Sequence, residues 1–233
     1  MLASIKRDLY AAYERDPAAR NRLEVILLYP GFHAIVLYRV AHLLWIRDQR
    51  MAARIISAIA RFWTNVDIHP GAQLGDGLFI DHASGVVVGE TAECGIDVTI
   101  YHGVTLGGRG TDVGKRHPTL GDRVTVGAGA KILGPVYIGS DSRIGANAVV
   151  VKEVPPNSVV IGIPGQVVER SRDQARVHKP DLDGTVMPDV LGAGLHSLQE
   201  RVDELEASVI GHIHAGAIRS SESGTWRGED FSI

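Results

Sequence analysis

An apolar residue recurs every six positions through the middle of the chain, and this period restricts the possible fold more than any other feature. Stepping by six from Ile68 meets Leu74, Ile80, Val86, Ala92, Val98 and Val104. After an interruption the step resumes at Leu120 and meets Val126, Ile132, Ile138, Ile144 and Val150. Twelve of these 13 positions are Ile, Leu or Val, in a chain that is 45% hydrophobic overall. Neither the 3.6-residue period of a helix nor the alternation of a half-buried strand produces this register. Hairpin strands of varied length would not keep it either. Glycine follows several marked residues (Gly75, Gly121, Gly127, Gly139, Gly145), and small residues such as Ala72, Ser84, Ala130, Ser142 and Ala148 stand two before them. A short strand and a turn in each hexad predict a three-faced coil of about 18 residues per rung, with rungs pairing as parallel strands about 4.8 Å apart. Thirteen hexads predict a little over four rungs, about 20 Å in height. From Val104 to Leu120 the chain advances one hexad plus ten extra residues, so 109–118 is predicted to leave the coil as a loop. Loops on a rigid scaffold are where function concentrates.

The flanks differ from the coil. Residues 1–64 read as an α-helical domain: SIKRDLYAAYERD is amphipathic and is broken at Asp16-Pro17, Pro30 suits a first helical position, and RMAARIISAIARFWTN is a basic helix. Their apolar residues predict packing against each other or against a partner subunit, not a membrane. Residues 65–168 make the coil, and 169–233 a C-terminal helix (SLQERVDELEASV) followed by a flexible polar tail. The balance of 24 Lys+Arg against 27 Asp+Glu, net −3, argues against a nucleic-acid binder. No apolar run approaches the roughly 20 residues of a spanning helix, and the N-terminus lacks the apolar stretch of a secretory signal. A lone cysteine, Cys94, excludes an internal disulfide framework and suits a reducing cytoplasm.

Polar signal is concentrated in DIHP (67–70), DHASGVVVGET (81–91), YHGVTLGG (101–108) and KRHP (115–118). In identity and spacing these segments resemble the serine acetyltransferases, a family of hexapeptide-repeat acyltransferases. Sugar acetyltransferases of that superfamily lack the DHA-x-G-x-V-x-G-E-T run. The resemblance extends from about Asp16 to about Val168, and VVIGIPGQVV (159–168) is similar to the segment that closes the family's coil. It implies a left-handed parallel β-helix behind an α-helical N-terminal domain. It also implies transfer of acetyl from acetyl-CoA to the hydroxyl of L-serine, the first step of cysteine biosynthesis from serine.

The chemistry can be stated from first principles. A serine hydroxyl is barely acidic at pH 7, and a neutral imidazole against it contributes about 10²- to 10⁴-fold. A carboxylate on the other ring nitrogen fixes the tautomer. His82 and Asp67 stand 15 residues apart, close to one rung, so neighbouring rungs could bring them together. By resemblance His82 is the general base and Asp67 its partner, acting by direct attack in a ternary complex. No motif histidine stands beside Cys94, which argues against a cysteine acyl-enzyme. Arg116 and His117 suit the substrate carboxylate, and Asp16 and Asp81 its ammonium. Glu90 also matches a family site position. Acetyl-CoA would lie along the coil near Gly107, Gly108 and Ala128, with Lys131 facing phosphate.

The resemblance further implies a homotrimer with sites shared between subunits, opening the way to a dimer of trimers. It implies feedback inhibition by L-cysteine and insertion of the C-terminal Ile233 into O-acetylserine sulfhydrylase, the next enzyme. No metal is expected: His82, His102 and His117 are too far apart in sequence for the three-histidine zinc site of γ-class carbonic anhydrase. The alternatives are acetylation of homoserine or a sugar, or a β-helix scaffold without catalysis. His69 and His102 stay open between site and structure, and His33 and His42 read as packing residues.

Overall fold

The computed structural model describes residues 1–111, 113–169 and 190–210, in two units divided at Met187 and Pro188. Four helices come first: α1 (Leu2–Arg15), α2 (Arg22–Leu28), α3 (Pro30–Trp45) and α4 (Arg50–Thr64). Helix α1 stops at Asp16, whose extended backbone (φ −97°, ψ 109°) is the conformation favoured before Pro17. Asn21 caps α2 by accepting a hydrogen bond from Glu24 N–H, and Pro30 occupies the first turn of α3. Among the described residues no single helix is long and apolar enough to cross a membrane.

Short strands follow. The first rung holds β1 (Asp67–Ile68), β2 (Gln73–Leu74) and β3 (Phe79–Ile80); the second β4 (Val87–Val88), β5 (Glu93–Cys94) and β6 (Thr99–Ile100). The third holds β7 (Thr105–Gly107), β8 (Thr119–Leu120) and β9 (Thr125–Val126); the fourth β10 (Lys131–Leu133), β11 (Tyr137–Ile138) and β12 (Arg143–Ile144). Strand β13 (Val149–Val150) starts a fifth, and β14 (Ser158–Ile161) and β15 (Gln166–Glu169) end it. Successive strands go in rotation to three sheets: a first face β1-β4-β7-β10-β13, a second β11-β8-β5-β2 and a third β15-β14-β12-β9-β6-β3. Pairing is parallel except for the closing β14–β15 hairpin, formed by the segment singled out at 159–168. A helical region thus leads into parallel sheets wound around one aliphatic core.

The register corrects the hexad count. Ile68 pairs with Val88, Val88 with Leu106, and Leu106 with Ile132. The inward strand residue after Ile80 is therefore Val88, eight positions on, and the corner 81–86 carries two residues more than a hexad. After Leu106 it is Leu120, fourteen on, so the loop between them carries eight extra residues rather than ten. Stepping by six from Ile68 instead lands on Val86, Ala92, Val98 and Val104. These are buried as well, because the residue two before each strand position also turns inward. Two apolar positions per hexad let the count slip by two without meeting a polar residue.

The lowest rung has no coil beneath it, and helix side chains take the hydrogen bonds that a rung would supply. Ser57 Oγ donates to Ile68 O (2.7 Å), Tyr38 Oη to Ala72 O (2.7 Å), and Arg39 to Leu74 O and Gly75 O. Asp8 Oδ1 accepts from Gly77 N–H (2.9 Å) and Leu78 N–H (3.1 Å). Asp8 is completely buried and pairs with Arg39; burial raises its pKa, and four charge-assisted contacts compensate. Helix α3 comes so close that a Cβ on Gly31 would collide with Ile80 O. Arg15 donates to Gly77 O (3.0 Å) and Asp97 Oδ1 (2.7 Å), fixing the end of α1 against the coil. In the second unit the described residues form α5 (Val190–Ile210).

Candidate active site

Each strand of the first face runs between two kinds of corner, and the predicted polar residues gather at both. The corner entering it in the second rung, 81–86, holds the two extra residues. His82, Ala83 and Gly85 have φ of 57°, 54° and 75°, a left-handed conformation that costs a non-glycine residue free energy and that clusters at functional sites. This backbone turns the His82 ring outward, 72% exposed. Asp81 Oδ2 lies 3.8 Å from His82 Nε2, and the His102 ring, one rung up, meets His82 edge-on at 5.7 Å. Asp16 joins from α1: its Oδ1 accepts from Ala18 N–H (2.8 Å) and its Oδ2 from Tyr29 Oη (2.5 Å). Burial raises the Asp81 pKa, and the nearby Asp16 charge adds to the shift. Two carboxylates held close together favour a cation between them.

The corner leaving the first face contains Glu90, Thr91 and the loop 108–118. Arg116 Nη2 donates to Glu90 Oε2 at 2.6 Å, and this hydrogen bond holds the Glu90 carboxyl below its usual range. Glu90, expected from sequence among the substrate-binding residues, is thus the group that orients Arg116. Thr91 Oγ1 accepts from Arg116 N–H and His117 N–H, each at 3.1 Å. Thr91 N–H donates to His117 Nδ1 at 3.2 Å, so Nδ1 is bare and Nε2 carries the proton. Burial, then the Arg116 charge, lowers the His117 pKa and keeps the ring neutral. A Cβ on Gly89 would fall on the His117 ring; only glycine fits there. Lys115 ties the loop down through Thr91 O (2.7 Å) and Glu93 Oε1 (2.9 Å).

The remaining predicted residues are spread across the face. Asp67 opens β1 and pairs with Arg61 at 3.3 Å; its N–H bonds Val86 O at the base of the His82 corner (2.9 Å). The carboxylate beside His82 in one chain is that of Asp81. Gly107 O accepts from Gly134 N–H (3.0 Å), and Ala128 O from Asn147 N–H (2.8 Å). Gly108 adjoins Arg116 and His117, while Lys131 Nζ bonds Gly103 O beyond His102. The four residues expected around acetyl-CoA therefore line both ends of the face. His69 meets Trp45 edge-on at 4.9 Å, and His33 and His42 bond Ile26 O and Pro70 O. Burial pushes the Cys94 thiol up to about 12, leaving it inert. Ile233 lies outside the described residues.

Two contributors escaped the sequence reading. Thr91 sat inside a quoted motif, but its role needs the loop folded back over it. Tyr29 precedes Pro30, and only the angle between α2 and α3 reveals its reach to Asp16.

Known proteins bear on these corners. Residues 1–36 match the family model "Serine acetyltransferase, N-terminal", and 117–152 match "Bacterial transferase hexapeptide (six repeats)". The serine acetyltransferase of Mycobacterium tuberculosis is 58% identical over 236 residues, covering 100% of both chains. That of Synechococcus elongatus is 50% identical over 91% of this chain and 85% of its own. Among solved structures, the Neisseria gonorrhoeae enzyme superposes with a TM-score of 0.74 at 42% identity, covering 80% of this chain and 70% of that one. The soybean enzyme complexed with serine gives 0.70 at 47% identity, with 71% and 68% covered. The Brucella abortus enzyme with coenzyme A gives 0.71 at 44%, with 73% and 68% covered. Full-length identity at this level, on a chain whose helices and coil both match, makes this protein a member of the serine acetyltransferase family.

Proposed function

We propose that the chain transfers acetyl from acetyl-CoA to the hydroxyl of L-serine, giving O-acetyl-L-serine and CoA, the first step of cysteine biosynthesis from serine. The observation that carries this reading is the pair of corners flanking one face: carboxylates and an exposed imidazole at one, an oriented guanidinium and a neutral imidazole at the other. His82 takes the hydroxyl proton as serine attacks the thioester in a ternary complex, and Asp67 steadies the imidazolium. Asp16 and Asp81 receive the ammonium. Arg116, oriented by Glu90, receives the carboxylate with His117. Backbone around Gly107, Gly108 and Ala128 takes the pantetheine chain, with Lys131 toward phosphate. Relatives solved with serine and with coenzyme A support the choice of substrates.

A single chain separates the two corners by about four extended residues, roughly 13 Å. Free serine is much shorter. Corners of neighbouring copies must meet, which supports a homotrimer with sites at its boundaries, and pairing of trimers is compatible with it. The hexapeptide match supports a left-handed coil. L-cysteine, with sulfur for oxygen, fits the same Arg116 and Asp81 contacts and would inhibit competitively. Ile233 as an anchor for O-acetylserine sulfhydrylase rests on the sequence, and a cytoplasmic location on composition. The test is acetyl-CoA-dependent thiol release with L-serine, homoserine and a galactoside. Release with L-serine alone, suppressed by L-cysteine, is expected. Turnover with another acceptor only, or none by folded protein, overturns the reading.

A further inference from the structure

Helix α5 reads as three heptads that the site does not use. Leu191, Leu195, Leu198, Val202, Leu205 and Val209 recur at alternating spacings of four and three, the a and d positions of a coiled coil. Leu195, Val202 and Val209 stand at a; Leu191, Leu198 and Leu205 at d. Between Leu195 and Leu205 the outer positions are polar: His196, Ser197, Glu200, Asp203 and Glu204. His196 and Glu200 pair along that outer face at 3.5 Å. Along the seam Leu195 is 67%, Leu198 57%, Val202 50% and Leu205 64% exposed. A helix of 21 residues, about 32 Å long, draws most of its stability from packing such a stripe.

Charge identifies the cover. Arg201 stands at g, and Glu206, five positions on, at e of the next heptad. In a parallel, in-register pair the g position of one helix faces the following e position of the other, so opposite charges meet on both sides of the seam. An antiparallel pair sets g against g and e against e, which brings like charges together. Leucine at every d position with valine at two of three a positions is the combination suited to two parallel strands. We propose that α5 is a self-association element that winds in parallel and in register around α5 of a second copy of this chain. The inference holds whichever acceptor the active site uses.

Cross-linking of the full chain tests this. The natural Cys94 is buried and serves as the blank. Leu205→Cys, at d and well away from the helix centre, brings two thiols together only in a parallel pair. Glu200→Cys, on the outer face, does not. Under mild oxidation at micromolar protein, Leu205→Cys should form covalent dimers at least about 10-fold faster than Glu200→Cys. Adding Arg201→Glu should slow that several-fold in low salt and less in high salt. Circular dichroism confirms that each variant keeps its helix. Equal rates for Leu205→Cys and Glu200→Cys overturn the proposal, and indifference to Arg201→Glu overturns the parallel register.

Discussion

The corner at 81–86 and the corner formed by Glu90, Thr91 and 108–118 serve one face, yet they hold their functional groups by opposite means. The first uses backbone: two extra residues and consecutive positive-φ positions project His82 into solvent, with its nearest carboxylate at 3.8 Å. The second uses side chains: Arg116 and His117 are each fixed by at least two hydrogen bonds from Thr91 and Glu90. The difference matches the tasks assigned to them. A base must change protonation and needs few fixed partners, whereas a carboxylate receptor must keep one geometry and one charge state. Electrostatics divides the same way. The first corner crowds Asp81 with Asp16, while the second stabilises Glu90 with Arg116.

The sharpest way to break this contrast is His82→Ala. It should lower kcat by about 10²-fold or more without moving Tm, because the exposed ring packs on little. Near-normal turnover would remove His82 from the chemistry. Gly89→Ala comes next. The new methyl displaces the His117 ring, and misplacement of about 1 Å can cost about 10²-fold, here expected as a fall in kcat/KM for serine. Unchanged serine kinetics would mean that His117 is not a substrate contact. Thr91→Val removes the acceptor shared by two N–H groups. We expect a loss of about 1–3 kcal/mol in stability and a weaker loss in serine KM, measured by denaturant unfolding and steady-state kinetics.

Smallest, and most direct, is the pH response of stability. Asp81 binds its proton more tightly when folded, so its contribution weakens as pH rises above the unfolded carboxylate range. Asp81→Asn should therefore raise Tm at pH 7 by about 2 °C while impairing serine binding. Glu90 and His117 have depressed values. Their stabilisation is present above the unfolded values, near 4.3 and 6.5, and is lost as pH falls from there through the lower folded values. Glu90→Gln should lower Tm at pH 7 and flatten its acid dependence. If Asp81→Asn and Glu90→Gln shift Tm in the same direction, the electrostatic contrast between the corners is wrong.

Coil, helices and most residues of the two candidate corners were legible in the sequence, because a hexad period and a dense motif survive in one dimension. What escaped depended on three. The slip of two at 81–86 was hidden because Val86 and Val88 are both buried, so apolarity alone could not reveal which one belongs to the strand. Glu90 looked like one more motif acid until Arg116 folded across it. The ion pair of Asp67 with Arg61 comes from a helix packed beside β1, which spacing along the coil could not foretell.

A parallel coil has no intrinsic length. Every rung offers the next the same row of backbone donors and acceptors, so a bare end is a template for growth by another molecule. Here Ser57, Tyr38, Arg39 and Asp8 occupy that row on the first rung, and they do so in a pattern that no strand can copy onward. The helices thus act as a chain terminator for a polymer of one chain: they count the coil from its zero and keep it a discrete molecule instead of the first segment of a fibre.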